Sequence, residues 1–212
     1  GIFRLHNRQH IIESSKTFFR VGAREFERKL NSIEYLFPIS NGRCIDLRDG
    51  KIIDRTPLHY FTFEIDIDYD PSVKNYGKWS EYISTLFNSE VIEWLQRFFG
   101  YILTGSNSEQ IFLVMLGLLG GEGKGVIKRL LKSVMGSYYV TINKALILEN
   151  ERCSNAGAES AKLENRRLAV IDEINHGAKL DSAQIKAYTG GDDLAIQAKY
   201  KDAKDISVKF KM

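Results

Sequence analysis

The sequence predicts an α/β protein: a layered, mainly parallel sheet in the second half, preceded by a small α+β domain. Three observations predict this. Residues 111–116 (Ile-Phe-Leu-Val-Met-Leu) and 168–171 (Leu-Ala-Val-Ile) are unbroken apolar runs of strand length, the signature of strands covered on both faces of a parallel sheet. A helical pattern lies between them, and strands alternating with helices build α/β layers. Residues 35–54 instead carry short apolar stretches divided by Asn41-Gly42 and Asp49-Gly50, hairpin signals because such turns need positive φ at their central residues.

Taken in order, residues 8–30 hold Ile11, Ile12, Phe18, Phe19, Phe26 and Leu30 at helical spacing, which predicts one or two helices. Residues 35–54 predict a β-meander. Residues 61–69 alternate Phe63, Ile65 and Ile67 with Glu64, Asp66 and Asp68, a strand pattern, and Pro71 ends it. Residues 76–87 and 89–103 read as amphipathic helices; in the second, Val91, Ile92, Leu95, Phe98, Phe99 and Ile102 form one stripe. The polar break from Gly105 to Ser108 sets the boundary. The buried strand 111–116 follows, then a glycine cluster, a helix over 126–135 stopped by Gly136, and a short strand over 138–142. Next come the buried strand 167–171 and a helix over 181–188. Gly190-Gly191 opens a hairpin with arms near 194–200 and 205–212. The organisation expected is a helical lead-in (1–30), an accessory α+β domain (31–107) and an α/β core (108–212).

Composition excludes whole classes. With 43% apolar and 27% charged residues, 3 prolines and 17 glycines in 212 residues, the chain is not collagenous, mucin-like or a charged tail. Its net charge of +3 is too small to argue for nucleic acid on its own. Residues 1–108 balance at 14 − 14 = 0, so the whole excess, 16 − 13 = +3, sits in residues 109–212. Cys44 and Cys153 are far apart, and with 4 histidines there is no zinc-ligand spacing. So few cysteines in a chain of this size predict an intracellular protein with reduced thiols. No apolar run reaches membrane-spanning length, and no signal peptide opens the chain. The start at Gly1 and the end within an apolar stretch (206–212) suggest a piece of something longer.

The chemistry centres on Leu118-Leu119-Gly120-Gly121-Glu122-Gly123-Lys124-Gly125-Val126, between a strand pattern and a helix pattern. Glycines let successive backbone N–H groups wrap an anion, and a helix N-terminus adds donors and a favourable dipole. A lysine at the helix start reaches the outer phosphates of a nucleotide. The match to a phosphate loop is imperfect. The usual first glycine position is Leu118, with Gly117 one residue too early, and the hydroxyl residue that should follow the lysine is Gly125. A glycine-rich turn packing a helix on a strand uses the same residues.

About fifty residues on, the strand 167–171 runs into Asp172-Glu173. That puts two carboxylates at the carboxyl edge of a parallel sheet, where open α/β sheets bind ligands. Asp172 is the candidate Mg²⁺ ligand and Glu173 the candidate base for an attacking water. The face of Lys128, Arg129 and Lys132 reads as ordinary solvated surface.

The order Gly-Gly-Glu-Gly-Lys124, Leu-Ala-Val-Ile-Asp172-Glu173, Ile185-Lys-Ala-Tyr-Thr-Gly-Gly-Asp192 and a lysine-bearing hairpin resembles the superfamily 3 helicase core of phage, plasmid and large DNA virus (poxvirus-type) primase–helicases. Residues 35–47, Asp68-Tyr-Asp-Pro71 and 94–105 are similar to the domain that precedes the ATPase in that family. The resemblance runs from about residue 31 to the end and rests on five motifs in order and spacing. It implies a P-loop NTPase core of AAA+-like fold, ATP with Mg²⁺, and a homo-hexamer moving on single-stranded or forked DNA during replication. It assigns Lys124, Asp172 and Glu173 to catalysis and residues 118–126 to the nucleotide. It places Lys199, Tyr200 and Lys201 at a hairpin tip that grips DNA; lysines neutralise phosphates and an aromatic ring leans on a base.

The departures leave other readings open. Gly125 removes a metal ligand, and the family's sensor Asn and arginine finger are not in this sequence. A degenerate P-loop module that binds DNA or assembles without hydrolysing ATP is the alternative. A P-loop kinase or transferase is a third reading, and it gives the Lys199 hairpin no role.

Overall fold

A computed structural model describes residues 10–11, 13–15, 23–74, 76–117, 120–151, 153–197 and 203–212. Helix α1 (Ala23–Lys29) leads into a three-stranded antiparallel sheet of β1 (Leu36–Ile39), β2 (Arg43–Asp46) and β3 (Ile52–Asp54), in that order. Asn41 and Gly42 both take positive φ, 60° and 65°. Ile39 pairs with Arg43, so Ser40 joins them in a three-residue loop. All four residues of β1 are buried.

Residues 61–69 do not form the strand their alternation predicts. Ile65 N donates to Pro38 O at 3.2 Å and Ser40 N to Ile67 O at 3.2 Å, so the segment lies beside β1. Ile67 N then turns back onto Ile65 O at 2.8 Å, a three-residue bend that interrupts the ladder. The alternation still decides burial: Ile65 is enclosed while Glu64, Asp66 and Asp68 face solvent.

Helices α2 (Gly77–Leu86) and α3 (Ser89–Leu103) follow. Asn88 caps α3, its Oδ1 accepting from Val91 N at 2.9 Å, which satisfies one of the helix's orphan donors. The apolar stripe buries Leu95, Phe98 and Ile102.

The second half contains α4 (Lys124–Met135), β4 (Tyr139–Thr141), α5 (Ala156–Ala161), β5 (Leu168–Val170), α6 (Ser182–Thr189), β6 (Asp193–Ile196) and β7 (Lys204–Ser207). Strands β4 and β5 pair in parallel, Tyr139 opposite Leu168. Asp181 caps α6 by accepting from the N–H groups of Ala183 and Gln184. Strands β6 and β7 form the expected hairpin, Leu194 opposite Ile206.

Two further expectations are corrected. The second hairpin arm does not continue to residue 212. It ends at Ser207, and the chain moves on to lie parallel to β5, Ala169 N donating to Lys211 O at 2.8 Å and Lys211 N to Arg167 O at 3.0 Å. The run 111–116 is not a strand buried on both faces. Leu113 N donates to Met212 O at 2.8 Å, so the run stands beside residues 211–212. Yet Val114 is 56% and Leu116 87% exposed. A doubly covered strand needs neighbours on both edges and layers on both faces, and the described residues leave Val114 and Leu116 largely uncovered.

The core has two parts. One, with Ile142, Leu163, Ala169, Tyr188, Ile206 and Phe210, belongs to the second half. The other joins Phe37, Ile39, Ile65, Phe98 and Ile102 to Met135, Tyr138, Tyr139 and Leu168. Arg167, 2% exposed, stands at that junction. Its Nη2 donates to Ile33 O at 3.1 Å and Leu36 O at 2.9 Å, its Nη1 to Leu103 O. Its guanidinium lies 4.6 Å from the centre of the Tyr138 ring.

Beside it, Lys209 Nζ donates to Asn31 O at 3.0 Å, and Lys211 Nζ to Thr104 O at 2.5 Å and Thr104 Oγ1 at 3.2 Å. Burial, reinforced by the nearby Arg167 charge, pushes the Lys211 ammonium down from 10.5 to about 7.

Arg167→Met takes the donor from one buried and two part-buried carbonyls. We expect a loss of roughly 1–3 kcal/mol in urea unfolding, the cost of leaving buried acceptors unsatisfied. Lys211 supplies a pH test. Between pH 7 and 10.5 the unfolded chain holds a proton that the folded chain releases, so this group's penalty is full below pH 7 and fades as pH rises. Unfolding midpoints of the wild type rise from pH 7 toward pH 10, and those of Lys211→Met rise less.

Candidate functional site

The glycine loop is tight where it meets α4. Gly120, Gly121 and Gly123 take φ of 78°, 76° and 81°. Gly123 caps the helix, its carbonyl accepting from Val126 N at 2.9 Å and Ile127 N at 3.1 Å. A Cβ at Gly123 would lie 2.9 Å from Tyr82 Oη and overlap Leu86 Cδ1, so glycine is needed both for φ and for the approach of α2. Leu118 and Leu119, two of the predicted nucleotide contacts, lie outside the described residues.

Lys124 is the first residue of α4, and its Nζ donates to Glu122 Oε2 at 2.5 Å. This pair stands directly over Gly117, where a Cβ would overlap both charged groups. Gly117 is therefore part of the loop's inner wall, although its spacing from Lys124 is one residue longer than the usual pattern. Gly125 offers no hydroxyl; a Cβ there would lie 3.6 Å from Arg129 Nη1.

Asp172 and Glu173 are exposed just beyond the end of β5. Lys128 Nζ donates to Asp172 Oδ1 at 2.8 Å, and the carboxylate holds the lysine's pKa above its ordinary value. Both side chains are part-exposed, 38% and 53%, so the pair adds under ~1 kcal/mol of stability. Its value is geometric. It brings the helix that follows the glycine loop to the carboxyl edge of β5. Lys128 keeps the solvent exposure expected of it and has this one carboxylate partner. Positions 124 and 128 are one turn apart and share a face, the one spacing signal that could have found Lys128.

Strands β6 and β7 frame a connection whose tip, Lys199, Tyr200 and Lys201, lies outside the described residues. Among the described residues, no group of three or more His, Cys, Asp or Glu side chains is placed to hold a metal ion. No described helix is long and apolar enough to cross a membrane.

Residues 115–212 match the sequence model of a family described as a family of unknown function, DUF5906. The chain is also 29% identical over 194 residues to a protein of Acanthamoeba polyphaga mimivirus named as a putative helicase. That similarity covers 88% of this chain and 20% of the viral protein, so the chain spans about a fifth of its relative's length.

Gly123→Ala tests the loop's construction. The side chain is strained at this φ and meets α2, and we expect a loss of roughly 1–3 kcal/mol, read as a lower thermal midpoint. Gly125→Ala, with negative φ and ordinary space around it, shifts the midpoint far less.

Proposed function

We propose that this chain is a nucleotide-binding module of a viral helicase-type protein, with ATP held between the Gly117–Val126 loop and the Asp172 edge of β5. The observation that carries this reading is the Lys128–Asp172 pair, because it joins the two motifs that a phosphate site requires. The distant similarity to the mimiviral protein agrees with it. In this reading the backbone of residues 118–126 wraps the phosphates, and Lys124 leaves Glu122 to reach the outer phosphates. Glu173 accepts the proton of the attacking water. The Lys199, Tyr200 and Lys201 tip contacts the backbone and bases of single-stranded or forked DNA, and copies of the whole protein assemble as a ring, a homo-hexamer.

Asp172 is the carboxylate to which a Mg²⁺ accompanying ATP would come. The protein-side donors fit such an ion poorly: Gly125 replaces the hydroxyl ligand, and Lys128 already holds Asp172. Those two features favour a second reading, a module that binds nucleotide or DNA without hydrolysing ATP.

Binding of a fluorescent ATP analogue to the 212-residue chain tests the proposal. Lys124→Ala should weaken binding by about tenfold or more, the loss of a charge-assisted hydrogen bond. Absence of binding by the wild type, or equal binding by Lys124→Ala, contradicts it. Phosphate release stimulated by single-stranded DNA and lost in Glu173→Gln selects the hydrolysing form over the second reading.

A further inference from the structure

Building on the nucleotide-site reading, we propose that Lys128 is the built-in counter-cation of this site, holding Asp172 where a divalent ion would be held, so that a triphosphate binds with little need of Mg²⁺.

Phosphate loops depend on Mg²⁺ because the ion bridges the phosphates to a Ser/Thr hydroxyl after the lysine and to the carboxylate at the end of the acidic strand. Neither anchor is available here in its usual form. Position 125 is glycine, and Arg129 Nη1 lies 3.6 Å from where its Cβ would be. The Asp172 carboxylate is taken by the Lys128 ammonium at 2.8 Å.

Electrostatics explains why an ammonium belongs there. A triphosphate carries several negative charges, and an uncompensated Asp172 and Glu173 near it would repel it. Lys128 cancels one of those charges without a metal. Lys124 lies one turn earlier on the same face, and Arg129 Nη1 reaches back to within 3.6 Å of a Cβ at position 125, so three cationic residues lie in the first half of α4. Lysine is suited to this role as a compact, strongly hydrated point charge with rotatable donors. A Mg²⁺ that binds Asp172 must first displace Lys128, and that competition lowers the ion's apparent affinity. Lys128 thus supplies positive charge when metal is absent and opposes metal when it is present.

The test measures the dissociation constant of a fluorescent ATP analogue in EDTA and in Mg²⁺, for the wild type, Lys128→Ala and Lys128→Arg. Lys128 is part-exposed at the surface, and circular dichroism checks that each variant is folded. We expect wild-type constants within about threefold of each other in the two conditions. Lys128→Ala should bind about tenfold more weakly in EDTA and recover in Mg²⁺, as loss of one charge-assisted contact predicts. Lys128→Arg, which keeps the charge, should follow the wild type. An EDTA-to-Mg²⁺ ratio in Lys128→Ala equal to that of the wild type overturns the role of Lys128 and leaves the nucleotide site standing. So does a wild type that binds only with Mg²⁺. A wild type that binds in neither condition overturns both.

Discussion

The architecture depends on Arg167. A guanidinium buried to 2% exposure and bonded to three backbone carbonyls is costly unless its donors are satisfied. The carbonyls of Ile33 and Leu36 belong to the segment entering the meander, and Leu103 O is at the end of α3. One side chain therefore ties the start of β5 to two separate parts of the first half. Lys209 and Lys211 repeat the device from the neighbouring segment, two residues apart and so on one side of an extended chain. Phe37 and Tyr138 pack at the junction with their planes tilted by 35° and ring centres 5.7 Å apart. The two halves accordingly share a core built from both.

This tie has a consequence at the opposite end of β5. With Arg167 fixed at its start, the strand's exit is fixed too, and Asp172 projects where α4 can reach it. Helix α4 is placed by the same core through Met135, which is fully buried beside Tyr138 and Tyr139. The loop before α4 is pressed by Leu86 and Tyr82 of α2 through Gly123. The candidate site is held by three anchors: the Arg167 junction, the Met135 end of α4, and the α2 contact at the loop. Its chemistry then follows from charge. Lys124 stands on Glu122, a pairing that an incoming polyphosphate would exchange for its own oxygens, while Lys128 stays on Asp172.

Much of this was legible in the sequence. The meander followed from Asn41-Gly42 and Asp49-Gly50, and helices α2 and α3 from their amphipathic patterns. The strands of the parallel β4–β5 pair and helix α6 also match, since their apolar runs and helical spacing are written locally. The failures share a physical origin in non-local neighbours. Residues 111–116 have the composition of an interior strand, but burial depends on what flanks them, and composition carries no information about that. Residues 61–69 keep their alternation while a three-residue bend interrupts their ladder. The reach of Lys128 to Asp172 spans 44 positions in the chain and has no signature beyond one helical turn from Lys124. Arg167, read only as the first residue of a buried strand, is the most consequential buried charge because the carbonyls it satisfies lie far away in sequence.

The central claim is that the glycine loop and the Asp172 edge form a single nucleotide site. It is tested most directly by backbone amide NMR of the chain titrated with ATP. A single site makes the amides of residues 120–126 and those of Asp172 and Glu173 shift together, along one saturation curve. Shifts confined to one of the two segments, or separate curves for each, would contradict it.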